Sequence, residues 1–126
     1  MSTAIITPAP YIDRFVRQID FVPVNSMNEI PITVIGCGAI GRQAAIQLAS
    51  IGARKLILID FDVVSETNVT TQGYTSADIG KQKVDALKEA VLAIDDSIQV
   101  EVFNDRWKTK HPTSSVVFCC VDKIAI

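Results

Sequence analysis

Residues Ile32 to Asp62 read ITVIGCGAIGRQAAIQLASIGARKLILIDFD, and this stretch decides the fold. Ile32, Val34 and Ile35 form a short apolar run that stops at Gly36-Cys37-Gly38-Ala39-Ile40-Gly41, a complete G-x-G-x-x-G. In such a turn the first glycine permits the tight bend and the second lets backbone approach a phosphate. The third lets the following helix sit close on the strand. The spacing predicts a helix from about Ala39 to Ile51, whose first N–H groups, around Ala39 and Ile40, would face an anion with the positive end of the helix dipole. Gly52 fits the C-terminus of that helix, and Lys55-Leu56-Ile57-Leu58-Ile59 reads as a second buried strand. Asp60 follows about 20 residues after the glycines, where an acid can bind ribose hydroxyls. A glycine turn alone is weak evidence. Strand, glycines, helix, strand and acid in that order predict a nucleotide-binding turn.

The chain has 126 residues, 48% of them hydrophobic, and a net charge of −2. One globular domain with its own core is expected. No run approaches the roughly 18–20 apolar residues that a bilayer needs, and Met1 to Pro10 carries no signal-peptide pattern. The basic residues are dispersed, so neither nucleic acid nor membrane is expected as a partner. Three cysteines without framework spacing point to reduced thiols and a cytoplasmic setting. Cys119 and Cys120 are expected to be buried and inert. Cys37 reads as a small side chain filling the turn, although a helix N-terminus can also lower a thiol pKa. His111 shows no partner suggestive of catalysis, and Trp107 reads as a packing anchor.

Residues 1–31 read as an N-terminal arm with a short amphipathic helix over Tyr11 to Ile19, which places Arg14 and Arg17 near a solvated edge. Residues 32–126 form the nucleotide-binding domain. Val63 to Gln72 is read as a polar loop, Thr75 to Gly80 as a turn of helix or loop, and Lys81 to Ile94 as a helix with Val84, Leu87, Val91 and Ile94 inward. Strands are expected at Ile98 to Phe103 and, buried, at Val116 to Val121. The alternation implies an α/β, Rossmann-like three-layer fold with a mostly parallel sheet and helices on both faces. Asp60, Asp62 and Asp122 then gather at the carboxyl edge of the strands, where ligands of open α/β sheets bind.

Taken together, Gly36-x-Gly38-x-x-Gly41, Asp60-Phe61-Asp62, Asn68, Gln72, Gly80-x-x-Lys83 and Cys120-Val121-Asp122 resemble the adenylation domain of the ThiF/MoeB and ubiquitin-activating-enzyme superfamily. The resemblance runs from about Tyr11 to the last residue. It implies an ATP- and Mg²⁺-dependent adenylyltransferase that activates the C-terminal carboxylate of a ubiquitin-like or sulfur-carrier protein and works as a homodimer. On that resemblance the glycines, with Ala39 and Ile40, cradle the ATP phosphates and Asp60 holds the ribose, with Asp62 and Gln72 beside them. Asn68 and Lys83 contact the phosphates, Asp122 holds Mg²⁺, and Arg17 reaches the partner subunit's ATP.

The chain departs from the family pattern at Thr71, which stands where an arginine usually precedes the glutamine. Slow or lost adenylation is then expected unless Arg42, Lys81 or Arg106 supplies the missing charge. Family members also continue well beyond the position matching Ile126, so the chain corresponds to their nucleotide-binding part. Two other readings stay open on the residues alone: a nicotinamide-dependent oxidoreductase, and a non-catalytic nucleotide-binding or dimerisation module.

Overall fold

The computed structural model describes Arg14, Phe15, Arg17, Gln18, residues 30–111, Ser114 and residues 116–121. Four parallel strands form one sheet in the order β3-β2-β1-β4, with β1 at Ile32–Ile35, β2 at Lys55–Asp60, β3 at Gln99–Asn104 and β4 at Val116–Cys119. Helix α1 (Ala39–Ile51) joins β1 to β2, and α3 (Lys83–Ile94) joins β2 to β3. The Rossmann-like α/β fold is the one expected. Strand β1 is central and pairs on both sides, Val34 lying opposite Leu58 and Phe118.

β1 and β2 are buried on both faces, which is why they read as continuous apolar runs rather than alternating ones. Val34, Leu56 and Leu58 pack against Ala45, Leu48 and Ala49 of α1 and Val84, Leu87 and Val91 of α3. Thr33, Ile57 and Ile59 on the other face are equally enclosed. Helix α1 stops where it should: Gly52 is left-handed at φ 117°, and its neighbour's N–H, from Ala53, returns to Leu48 C=O at 2.9 Å.

Three expectations change. Both long helices lie against the same face, instead of one on each. The steps β1→β2→β3 run in one direction, so two right-handed crossovers deliver both helices to one side. The connection that reverses direction, from β3 to β4, carries no helix among the described residues. Second, the supposed loop contains helix α2 (Glu66–Gln72). Asn68 Oδ1 accepts the Ser65 N–H at 2.9 Å, Thr71 Oγ1 donates to Thr67 C=O at 2.7 Å, and Gly73 closes the helix at φ 86°. Its Ser, Thr and Asn content suggested a loop, but those side chains cap and back-bond a short helix. Third, β4 is less buried than its sequence suggests: Val117, Phe118 and Cys119 are exposed, because β4 is the edge strand of the described sheet. Of the expected helix over Tyr11 to Ile19, only Arg14, Phe15, Arg17 and Gln18 are described, and Arg14 and Phe15 are helical.

Those residues brace the helices at the end away from the glycine turn. Gln18 Nε2 donates to the Ile51 carbonyl at 2.6 Å, and Arg14 Nη1 donates to the Ile94 carbonyl at 3.1 Å. Both carbonyls belong to helix C-termini, where donors are in demand. Asp95, next in sequence, takes Arg54 at 2.7 Å and Arg14 at 3.0 Å. Burial opposes ionisation of Asp95. The hydrogen bonds from Ser97 and Arg54 outweigh it and hold the carboxyl at about 2, below its ordinary 3.8. A depressed folded-state pKa adds stability above the unfolded value that is lost as pH falls through the folded one. Between about pH 4 and pH 2, the chain should lose on the order of 1–2 kcal/mol through this group. Asp95→Asn should flatten that part of the profile, as measured by denaturant melts at stepped pH.

Candidate nucleotide-binding site

The glycine turn joins the carboxyl end of β1 to the amino end of α1. Gly36 has φ 91°, a conformation that side chains rarely adopt. Its N–H donates to Ile59 C=O at 2.8 Å, and Cys120 N–H donates to Ile35 C=O at 2.7 Å, so the turn leaves directly from the sheet. A Cβ on Gly41 would lie 1.6 Å from Gly36 O. Only hydrogen fits between the first turn of α1 and the end of β1. The first helical bond runs from Arg42 N–H to Gly38 C=O at 2.9 Å, so the earlier N–H groups of the turn have no partner within the helix. Ala39 and Ile40 are exposed at that end, Ile40 to 72%. The arrangement leaves free N–H groups at a helix start, a geometry that can accept an anion.

Asp60 at the end of β2 is tied into the turn. One carboxylate oxygen accepts the Cys37 N–H at 2.6 Å and the other accepts the Asp62 N–H at 2.8 Å. Each oxygen keeps a further lone pair, so a ribose hydroxyl can still be bound by a carboxylate already held in place. Asp62 carries the second acid, with Oδ2 3.6 Å from Lys83 Nζ. Lys83 opens α3 and is buried to 6% exposure, while its N–H donates to Asp62 C=O at 2.9 Å. A buried lysine at the positive end of a helix is unfavourable on dipole grounds alone. It makes sense beside anions.

A strap after α2 closes the site. The Gln72 side chain lies over the turn, its Nε2 3.5 Å from where a Gly38 Cβ would stand. Two residues later the buried Tyr74 hydroxyl donates to Cys37 C=O at 2.5 Å. Sequence reading missed Tyr74, and its one signal was an aromatic stranded in a polar segment. Burial, then the nearby Cys37 and Asp60, push the phenol far above its ordinary range, so it stays protonated and keeps donating. Burial, followed by the Asp60 charge, likewise pushes the Cys37 thiol far up, although Lys83 opposes the shift. Cys37 is therefore the small buried side chain of the turn and not a low-pKa nucleophile.

The structure thus brings Gly36, Gly38, Ala39, Ile40, Gly41, Asp60, Asp62, Gln72 and Lys83 to one edge of the sheet. Asn68 lies in the first turn of α2 and spends its side-chain oxygen on the Ser65 backbone and hydroxyl. Arg17 is exposed and next to Gln18, which caps the far end of α1. A helix of 13 residues is about 20 Å long, so Arg17 stands roughly that far from its own turn. Asp122 lies outside the described residues. Arg106 stacks over the Phe61 ring at 4.1 Å, beside the acids. His111 is engaged within its own loop: its Nδ1 accepts the Lys108 N–H at 2.8 Å, and its Nε2 lies 3.6 Å from Asp105. That local clip closes the loop after β3.

Comparison with known proteins gives the family. A model of the ThiF family matches residues 12–126. The chain belongs to the ThiF family. A molybdopterin-synthase adenylyltransferase of Salmonella typhimurium is 31% identical over 124 residues, covering 90% of this chain and 50% of the relative. Ubiquitin-like modifier-activating enzyme 5 of Caenorhabditis elegans is 32% identical over 78 residues, covering 62% of this chain and 19% of the relative. Among solved structures, E. coli MccB with MccA-N7isoASN superposes at TM-score 0.76 with 26% identity, over 87% of this chain and 37% of that one. E. coli tRNA N6-threonylcarbamoyladenosine dehydratase, TcdA, in complex with ATP superposes at TM-score 0.84, over 94% and 53%. At 23% identity it shows the shared fold. This ThiF-family chain spans about half the length of the molybdopterin-synthase adenylyltransferases it matches.

The close packing makes the glycines unequal. Gly41→Ala should cost about 3 kcal/mol or more, because the blocking atom is backbone. Gly38→Ala meets only the end of Gln72 at 3.5 Å and should melt near the wild-type temperature while losing anion binding. Thermal melts of both variants, with nucleotide titrations of Gly38→Ala, test this separation.

Proposed function

We propose that this chain is the nucleotide-binding part of an ATP-dependent adenylyltransferase of the ubiquitin-like-modifier-activating type. The reading is that it activates the C-terminal carboxylate of a ubiquitin-like or sulfur-carrier protein. The observation that carries it is the buried Lys83, placed with Asp62 at the same strand edge as the glycine turn. A dinucleotide site has no need of an ammonium there. The adenylyltransferase names of the relatives and the ATP bound by TcdA support the same reading.

In this mechanism the triphosphate lies over the first turn of α1, where backbone N–H groups and the helix dipole hold it. Asp60, fixed by two backbone N–H groups, takes the ribose hydroxyls. A carboxylate oxygen of the carrier's last residue attacks the α-phosphorus. The bond from that phosphorus to the bridging oxygen breaks, giving acyl-adenylate and pyrophosphate. Lys83 neutralises the negative charge gathering on the leaving pyrophosphate. Magnesium, when bound, would supply further positive charge to the phosphates. No cluster of three or more His, Cys, Asp or Glu side chains suited to a metal occurs among the described residues. Mg²⁺ needs only one or two carboxylates when phosphate and water oxygens complete its shell. The half-exposed Asp62 fits that demand, and Asp122 is the further ligand we assign. Arg17 cannot reach its own turn, so any role in ATP binding falls on a second subunit of a homodimer.

Calorimetric titration should show ATP–Mg²⁺ binding in preference to NAD, and the reverse preference would return the site to an oxidoreductase. Pyrophosphate–ATP exchange with a sulfur-carrier protein should fall roughly a hundredfold or more in Lys83→Ala. Asp122→Ala should lose the magnesium-dependent part of ATP affinity. ATP binding without exchange would identify a non-catalytic nucleotide-binding module.

A further inference from the structure

Arg42 lies in the opening of α1, one residue after the third glycine, and its setting is odd for a structural arginine. The first turn of α1 holds no acid, so the guanidinium adds positive charge to an already positive helix end. No carboxylate pairs with Arg42 among the described residues, and its Nε is buried without a hydrogen-bond partner there. The guanidinium is nevertheless held in place. It stacks over the Tyr74 ring at 5.3 Å, and its Nη1 lies 3.0 Å from where a Gly73 Cβ would stand. Gly73 and Tyr74 continue the strap whose Gln72 lies on Gly38, and Gln72 Oε1 is likewise buried without a partner.

The other cations of this edge are engaged. Lys83 faces Asp62, Arg106 covers Phe61, and Lys81 pairs with Glu89 at 2.7 Å and Asp78 at 3.7 Å. The Thr71 hydroxyl donates back to Thr67 within α2. A fixed cation at a positive helix end, with a buried donor unpaired, is balanced when an anion occupies the turn.

Resting on the nucleotide reading above, we infer that Arg42 binds a phosphate group of the nucleoside triphosphate, supplying from α1 the guanidinium that Thr71 does not supply from α2. Tyr74 and Gly73 hold the planar fork flat so that two donors can face the phosphate oxygens.

The test is binding of ATP and of adenosine to the full chain, by calorimetry for ATP and ligand-observed NMR for adenosine. Arg42→Ala should weaken ATP roughly tenfold to a hundredfold, the range of a charge-assisted hydrogen bond, and leave adenosine unchanged. Adding Thr71→Arg to Arg42→Ala should restore part of the ATP affinity, because position 71 adjoins Gln72 over the same turn. Arg42→Gln, which keeps most of the stem and removes the charge, serves the same comparison if Arg42→Ala fails to fold. Unchanged ATP affinity in the charge-removing variant overturns the inference while leaving the adenylyltransferase reading intact. So does an equal loss for both ligands without rescue, which marks Arg42 as packing for Tyr74. Wild-type chain that binds adenosine no more weakly than ATP overturns both.

Discussion

The structure depends on a contact in which no side chain is possible. At Gly41 a single carbon would fall 1.6 Å from the Gly36 carbonyl oxygen, so α1 touches the end of β1 backbone to backbone. That closeness places the N-terminal N–H groups of α1 at the carboxyl edge of the sheet. It also lets Ala45, Leu48 and Ala49 reach Val34, Leu56 and Leu58. Site and core therefore arise from the same approach. The small residues on α1 are required by the spacing, and the apolar strands supply the area that holds it.

Charge is arranged around that contact in two layers. The inner layer is acidic and fixed, since Asp60 is held by the backbone of both Cys37 and Asp62. The outer layer is cationic, with Lys83 starting α3 and Arg42 in the opening of α1. Two cations at two helix N-termini oppose both dipoles, an arrangement that favours polyanions at that edge. Burial keeps Cys37 and Tyr74 uncharged, so neither adds negative charge to the turn.

Much of this was legible in the residues. The run from Ile32 to Asp62 predicted β1, the turn, α1 and β2 because each carries a local signal: apolar strands, glycines at fixed spacing and a left-handed cap at Gly52. Helix α2 was not legible, since its stability lies in reciprocal bonds between Ser65 and Asn68 and in Thr71 back-bonding. Those depend on side-chain geometry that composition does not report. The exposure of β4 was hidden for a different reason, because an apolar run does not say whether its strand is central or at an edge. Tyr74 escaped assignment because its role is long-range, and sequence periodicity carries only neighbours; Arg42 was named with Lys81 and Arg106, and spacing could not choose among them. Asn68 and Gln72 were picked out by resemblance, and the structure gives each a local task that spacing could not show.

The hydrogen bonds of the turn have a consequence for the order of folding. Cys37 N–H reaches Asp60 across 23 residues, and Tyr74 reaches back to Cys37 across 37. Neither bond can form until β2 has docked beside β1 and α2 has been laid across the turn. Local peptide structure cannot preorganise the anion cradle; it sets only with the parallel sheet, whose non-local pairings are intrinsically slow. A ligand that takes up this turn would therefore report completed folding and would slow amide exchange across the strands that built it.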